Sequence, residues 1–390
     1  MNQGKYVFAQ LVVFLPARIF DRCVATYNGN KWVKHFSCWN QLMVMMFGQL
    51  SGRDSLRDLL VTISAHSGKY YHLGFGKGVS RSNLAAANEQ RDYRIYEELA
   101  YEMIAMARGC VVKDPDILPA VAGNVYAFDS TTIDLCLNVF WWATFRTAKG
   151  GIKVHTLYDI KTSIPCFLLI TEALLHDVNA LDELNYEPGG YYIMDKGYID
   201  YKRLYRIHCC QAFFVTRAKD NFRFARRYSS KVDKSKGILC DQTVMLSGFY
   251  AKKDYPQPMR RIKFFDAEQE RSFVFITNNF SLAAEDIALL YKYRWKVELF
   301  FKWIKGHLKI KSFWGTSMNA VKTQVYIAVI TYVLVAIIRS KLKINRSAYE
   351  MLQILSASLF DKTQLNQLLQ SDNSQNLTNQ DPNSLQISLF

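Results

Sequence analysis

The chain has no Cys-x-x-Cys pair, no complete His/Cys zinc pattern and no apolar run long enough to span a bilayer comfortably, and each absence removes a class of protein. Its eight cysteines (Cys23, Cys38, Cys110, Cys136, Cys166, Cys209, Cys210 and Cys240) are scattered. That excludes a disulfide-stapled scaffold and fits a reducing compartment, with most thiols acting as small buried hydrophobes. His35 and Cys38 have the spacing of half a zinc site, but no second half follows. The longest apolar run, Val325 to Ile338, is 14 residues, too short to cross a bilayer comfortably and better read as a buried helix. Met1 to Tyr6 is polar, and the short apolar stretch Leu11 to Pro16 is followed by Arg18, so no signal peptide is expected. These features predict a cytoplasmic protein without a membrane partner.

Acidic residues are also scarce: 34 Asp and Glu face 49 Lys and Arg, a formal charge of +15. Such a surplus favours polyanionic partners, because each cation placed on a phosphate releases condensed counterions. Charge alone is equally compatible with a basic soluble enzyme. Seven of the basic residues, Arg203, Arg206, Arg217, Lys219, Arg223, Arg226 and Arg227, lie within 25 residues. What the chain has in abundance is apolar surface, 50% hydrophobic and 14% aromatic, enough for a large core in two or three domains.

Residues 1–120 read as a helical N-terminal domain. Gln41 to Leu50 is apolar and Met-rich, Ser55 to Ser64 repeats at helical spacing, and Ser82 to Arg108 forms one long amphipathic pattern. Basic residues punctuate it, as expected of a DNA-binding module, though no recognition helix can be fixed. After Pro119 the pattern changes. Asn124 to Leu137, Lys153 to Ile160 and Pro165 to Leu174 read as strands, followed by a helix near Asn179 to Asn185 and a strand at Tyr191 to Asp195. Tyr201 to Gln211 reads as helix and Ala212 to Arg217 as strand. Three strands, helix, strand, helix, strand is the order of an RNase H-like mixed sheet flanked by helices. The α/β core therefore has a first part at 121–219 and a second at 271–345, split by a β-rich insertion at 220–270. Short strands are expected there at Val244 to Tyr250 and Arg261 to Phe265. Ser281 is placed to cap a helix running towards His307, and Ala320 to Lys343 forms another. Residues 346–390 give a C-terminal helix and a polar tail beyond Leu369 with too little apolar surface to fold.

Two apolar strands carry acids: Asp129 lies inside one, within Val125-Tyr126-Ala127-Phe128-Asp129-Ser130, and Asp195 ends the other, within Ile193-Met194-Asp195-Lys196-Gly197-Tyr198. Desolvating a lone carboxylate costs on the order of several kcal/mol, so each needs a partner, either a divalent cation or a nearby Arg or Lys. Asp134 is an odd number of residues from Asp129 and points to the other face. Asp200 lies beyond the Gly197 turn, and His155 and His176 read as structural or supporting residues. Tyr291, Arg294, Glu298 and Lys305 stand at offsets 0, 3, 7 and 14; on a continuous helix they fall within a stripe about 60° wide, joined by Lys302 at about +20°. Such a stripe can line a phosphate-handling site, or it can be an exposed face with Arg294 and Glu298 as an i,i+4 pair.

The pattern Tyr291-x2-Arg294-x3-Glu298-x6-Lys305 resembles the Tyr-Arg-Glu-Lys signature of the insertion-sequence-four family of bacterial DDE transposases at all four positions. The Asp129 and Asp195 segments are similar to that family's first two acidic motifs, including Asp-x-Gly-Tyr at Asp195. The 102 residues between Asp195 and Glu298 also resemble the family, which inserts a β-rich segment before the last acidic helix. The opening region, with Phe36 to Leu42 and Gln49 to Asp58, is similar to the N-terminal domain of many such transposases.

The resemblance implies that Asp129, Asp195 and Glu298 are catalytic and hold two Mg²⁺ ions, with Mn²⁺ substituting. Hard carboxylate donors without clustered His or Cys agree with that choice. It implies that Tyr291, Arg294 and Lys305 grip the transposon-end backbone; Lys302 on the same stripe, and Arg217 and Lys219 just after a core strand, read as further phosphate contacts or as a solvated charged face. The partners would be double-stranded DNA at the terminal inverted repeats and at the target, the active form a homodimer, and the location the bacterial cytoplasm at the nucleoid. A hairpin step would need an aromatic wedge, for which Phe222, Phe224, Tyr228, Phe249 and Tyr250 are available. Two other readings stand beside it: a nuclease of the same fold that cuts without strand transfer, and an inactive transposase-derived repressor.

Overall fold

The computed structural model describes residues 4–113, 117–118, 120–135, 140, 142–146, 149–307 and 313–370. The N-terminal helices are α1 (Val7–Val12), α2 (Ala17–Thr26), α3 (Cys38–Leu50), α4 (Leu56–Ser64), α5 (Tyr70–Leu73), α6 (Arg81–Gln90) and α7 (Arg94–Cys110). Ser37 opens α3 with a reciprocal capping box, its hydroxyl taking the Asn40 N–H while the Asn40 side chain takes the Ser37 N–H. The single amphipathic helix expected over Ser82 to Arg108 is broken at Arg91–Tyr93. There the Asn319 carboxamide accepts from the Tyr93 N–H and donates to the Arg91 carbonyl, so a distant residue satisfies the groups exposed at the break.

The central strands are β1 (Val125–Leu135), β2 (Thr144–Arg146), β3 (Lys149–Asp159), β4 (Ile164–Glu172), β5 (Tyr191–Met194) and β6 (Phe213–Arg217), with α8 (Tyr201–Cys209) between the last two. The helix expected near Asn179 is a 3-10 turn, Asp177–Glu183, and the short β2 has no counterpart in the sequence pattern. β3 pairs antiparallel with both β1 and β4, whereas β1, β5 and β6 run parallel. The order β4-β3-β1-β5-β6 with β3 reversed is an RNase H-like sheet.

Residues 220–270 prove more regular than their composition suggests. β7 (Phe224–Ser229), β8 (Ile238–Leu246) and β9 (Met259–Asp266) form antiparallel strands, and β10 (Arg271–Thr277) joins β9 to β6. The β-rich stretch thus extends the core sheet through the order β6-β10-β9-β8-β7. The strand expected over Val244 to Tyr250 stops at Leu246, because α9 (Phe249–Asp254) begins just after Gly248.

The helix expected from Ser281 to His307 is two helices, α10 (Ala284–Lys292) and α11 (Trp295–His307). Ser281 does not cap α10; its own N–H is taken by the Asn279 side chain, and Ala283 occupies the N-cap position. Beyond lie α12 (Met318–Lys341), α13 (Ala348–Ser358) and α14 (Leu365–Leu369). The polar tail from Ser371 onward lies outside the described residues.

Side chains alternate across the sheet with period two. Val125, Ala127 and Ile193 face the large core that includes α7, α10, α11 and α12. Tyr126, Phe128, Tyr192, Met194 and Phe214 face a smaller core capped by α8 and α9. The helix around the apolar run is 24 residues, long and apolar enough by length and composition to cross a membrane, but 83% of its most apolar window is buried inside the fold. It packs against α3, α6, α7, α11 and α13. Ile330, fully buried there, tests that placement. Ile330→Ala should cost roughly 2–5 kcal/mol in urea unfolding through the cavity it leaves, whereas a loss below about 1 kcal/mol would contradict a core position.

Candidate active site

Strand register brings the acids together. Phe128 of β1 pairs with Met194 of β5, and Met194 pairs with Thr216 of β6. Asp129, midway along β1, and Asp195 and Arg217, at or just past the C-terminal ends of β5 and β6, each follow one residue later. By alternation all three turn towards the face covered by α10 and α11, which pack on β6 and β5 and on β1 and β3 respectively. Crevices beyond the carboxyl ends of parallel strands are where α/β sheets place their ligands.

The break between α10 and α11 supplies the rest. Around Tyr293 and Arg294 the hydrogen bonds tighten to i→i−3, Arg294 to Tyr291 and Lys296 to Tyr293. The 100° arithmetic that placed Tyr291, Arg294, Glu298 and Lys305 on one stripe therefore does not hold across this turn. The turn instead sends them to different partners. Arg294 donates to Asp129 Oδ2 at 2.7 Å and to Glu298 Oε1 at 2.5 Å, bridging two carboxylates with one guanidinium. Tyr291 donates to Asp195 Oδ2 at 3.4 Å, and Arg217 donates to the same oxygen at 2.8 Å. The Tyr291 ring lies near both guanidiniums, 5.6 Å from that of Arg217 and 5.8 Å from that of Arg294. Lys305 reaches the Thr132 carbonyl of β1 at 2.7 Å, and Lys302 is exposed on α11.

The two aspartates are pushed in opposite directions. Burial pushes the Asp129 carboxyl up to about 6; Arg294 and the Ser130 N–H oppose this, but Glu298 and Asp195 add to it. Burial also raises Asp195, yet there the Gly197 N–H and Arg217 outweigh it and hold the carboxyl below its ordinary value. Glu298 is the open member, its side chain 51% exposed against 18% for Asp129.

Asp134 is exposed and turned away from Asp129, and Asp200 caps α8 through the Arg203 N–H. His155 is buried, with Nε2 on the Thr171 hydroxyl. His35 is exposed beside a buried Cys38. Lys219 is occupied by the Ile199 carbonyl at 3.1 Å. One neighbour is not visible in the sequence: Asp177, which accepts from Ser130 Oγ at 2.8 Å and lies 3.3 Å from Lys153. No periodicity marks Asp177, because a 3-10 turn between strands delivers it.

Beside Asp195 opens a cavity of about 270 Å³, lined by Lys196, Arg217, Lys219, Arg261 and Arg271 and by Phe222, Phe224 and Phe273. The Phe222 and Phe224 rings stack at 5.2 Å, and Arg261 lies 5.0 Å over Phe224. Of the aromatic residues named for a wedge, these two line the cavity, whereas Tyr228, Phe249 and Tyr250 are exposed on β7 and α9.

Among the described residues, no three His, Cys, Asp or Glu side chains converge as a ready metal cage; guanidiniums stand between the acids. The donor set nonetheless fits a hard divalent cation, being carboxylate oxygen throughout. Buried polar atoms without a hydrogen-bond partner lie beside it: Nε of Arg217 and of Arg294, and Oγ1 of Thr156, which pairs directly with Asp129. Unpartnered buried groups at this density mark a place prepared for further ligands.

The family model described as Transposase DDE domain matches residues 122–334, and a domain of unknown function (DUF4372) matches residues 3–76. A transposase-named protein of Sinorhizobium fredii (strain NBRC 101917 / NGR234), y4zB, is 38% identical over 222 residues, 56% of this chain and 61% of that protein. The protein named as transposase for insertion sequence element IS5377 of Geobacillus stearothermophilus is 32% identical over 208 residues, 53% of this chain and 54% of its own length. A third, named for insertion sequence element IS4SA of Synechocystis sp. (strain ATCC 27184 / PCC 6803 / Kazusa), is 22% identical over 74% of this chain and 80% of its length. The chain thus spans little more than half the length of the first two relatives.

The Arg294 bridge is testable through stability. Arg294→Ala should cost roughly 2 kcal/mol in urea unfolding, because it strands a half-buried carboxylate. Adding Asp129→Asn should recover much of that loss, giving a coupling above about 0.5 kcal/mol in a double-mutant cycle. Strictly additive effects would show that the bridge carries no energy.

Proposed function

Because the chain belongs to the family that carries the transposase DDE domain, we propose that it is a transposase, cutting DNA at the ends of an element and joining the freed 3′ ends to target DNA. The observation that supports this reading is the approach of Asp129 on β1, Asp195 just after β5 and Glu298 on α11, the first and last bridged by Arg294, beside a cavity lined by cations and phenylalanines. The Tyr291, Arg294, Glu298 and Lys305 spacing assigns it to the insertion-sequence-four type.

In this reading Asp129, Asp195 and Glu298 hold two Mg²⁺ ions, with Mn²⁺ as substitute. When bound, these ions activate the attacking oxygen and stabilise the leaving one. In cleavage a water oxygen bonds to phosphorus and gives its proton to solvent, while the bond to the 3′ oxygen breaks and that oxygen takes a proton from solvent to become the free 3′-hydroxyl. In joining, the 3′-hydroxyl oxygen takes the place of water and a target-strand 3′ oxygen leaves.

The protein's own contribution is positioning. Arg294 exchanges its carboxylate partners for a DNA phosphate, and so both frees the acids and holds the strand. Tyr291, braced by its bond to Asp195, fixes the strand at the break. Lys305, Lys302 and Arg217 neutralise neighbouring phosphates. The aromatic cavity accepts a base displaced from the distorted end, stacked on Phe222 or Phe224. The helical region 1–120 binds double-stranded DNA at the terminal inverted repeats, and two chains pair two ends as a homodimer. The chemistry takes place in the bacterial cytoplasm, on the nucleoid.

The test is an in vitro assay with Mg²⁺ on DNA carrying the element's ends. Wild type should nick and then join. Asp129→Ala, Asp195→Ala and Glu298→Ala should bind DNA while losing both steps by about a thousandfold or more. Cleavage without joined products would favour the nuclease reading. Full activity in any of the three variants would remove that residue from the site.

A further inference from the structure

The turn between α2 and α3 presents a tryptophan in a way that folding alone does not require. Trp32 is 90% exposed, and its φ of 61° places it in the left-handed region. A bulky residue is rare there and persists only where the surroundings force it. The surroundings do so from below. The Gly29 N–H donates to the Val24 carbonyl at 2.9 Å, and Lys31 and Val33 close successive turns onto Asn28 and Asn30. The Asn30 side chain accepts from the Cys38 N–H at 2.8 Å, locking the turn to the start of α3. Gly29 sits so close to α3 and α7 that a Cβ there would lie 2.5 Å from Ile95 Cδ1 and 2.7 Å from Cys38 Sγ. The tryptophan is therefore held out on a rigid base.

The charge around it has one sign. Lys31 and Lys34 flank Trp32, both are exposed, and residues 27–36 contain no Asp or Glu. Lys31 Nζ lies 5.8 Å from the indole. Three nearby acids are engaged elsewhere, since Glu98 accepts from Tyr27, Glu102 pairs with Arg22 and Asp92 pairs with Arg94, while Asp21 is exposed on α2. An exposed indole between two lysines matches the two demands of a DNA surface, phosphates for the cations and an apolar ring for the bases or sugars between them.

We propose that the Asn28–His35 turn is a DNA contact separate from the carboxylate centre, with Lys31 and Lys34 on backbone phosphates and Trp32 packed against the groove between them. This rests on the reading that the protein acts on DNA and names where its helical region touches it.

The test measures binding of the full chain to a fluorescent mixed-sequence duplex over a range of salt concentrations. Trp32→Ala should weaken binding about tenfold, with an unchanged urea unfolding midpoint. Lys31→Ala combined with Lys34→Ala should reduce the slope of log affinity against log salt by about 2, because two phosphates are no longer neutralised. Wild-type affinity and slope in both variants would overturn the proposal while leaving the transposase reading intact. A wild type with no affinity for the duplex would overturn both. Altered sedimentation with unchanged DNA affinity would assign the turn to a protein contact and overturn the proposal as well.

Discussion

One guanidinium, that of Arg294, holds two carboxylates that would otherwise repel each other in a half-buried site. Asp129 comes from a strand, Glu298 from a helix far along the chain, and the bridge fixes one against the other. It depends on the tight turn that separates α10 from α11. A straight helix would carry Arg294 past the strand edge, and Tyr291 would not reach Asp195. The parallel register of β1, β5 and β6 supplies the other half of the constraint, because it aligns Asp129, Asp195 and Arg217 in adjacent strands. Backbone geometry thus sets the positions of the acids, and arginines balance their charge.

The balance is uneven, and the unevenness has a physical basis. Asp195 has three donors on its oxygens and lies below its ordinary range, whereas Asp129 is more deeply buried and is pushed up to about 6. A buried carboxyl in that condition gains most from a second positive charge. Glu298, on the exposed side, can swing with little desolvation cost. On the proposed function, a buried inner aspartate, a more exposed outer glutamate and a guanidinium paired with both suit a centre that admits a polyanion and then holds it. The sheet extension through β10, β9, β8 and β7 carries Arg261 and Arg271 to the same cavity as Arg217, so the basic stretch after the core becomes a wall of the cleft.

Much of this is legible in the chain itself. Continuous apolar, aromatic-rich runs at Val125 to Phe128 and Tyr191 to Met194 identify both strands that carry the acids, and the Tyr291 to Lys305 spacing identifies the third element. Those are local signals, written in composition and in the helical period of about 3.6. The break at Tyr293–Arg294 is not legible, since neither Gly nor Pro marks it and its cause is the distant pull of Asp129 and Asp195. The division of Ser82 to Arg108 has the same origin, a partner at Asn319. Residues 220–270 are legible as β-rich but not in their regularity, because charged strands lack apolar alternation and their order comes from pairing in the sequence β10-β9-β8-β7. Asp177 and the raised Trp32 belong to turns, where composition carries no direction.

The central claim is that Asp129, Asp195 and Glu298 form one cation-binding centre, and the most direct measurement is Mn²⁺ titration of the full chain on duplex DNA, followed by electron paramagnetic resonance. Wild type should bind Mn²⁺ saturably, and Asp129→Asn, Asp195→Asn and Glu298→Gln should each weaken that binding by at least about tenfold. Unchanged Mn²⁺ binding in any of the three would contradict a shared centre.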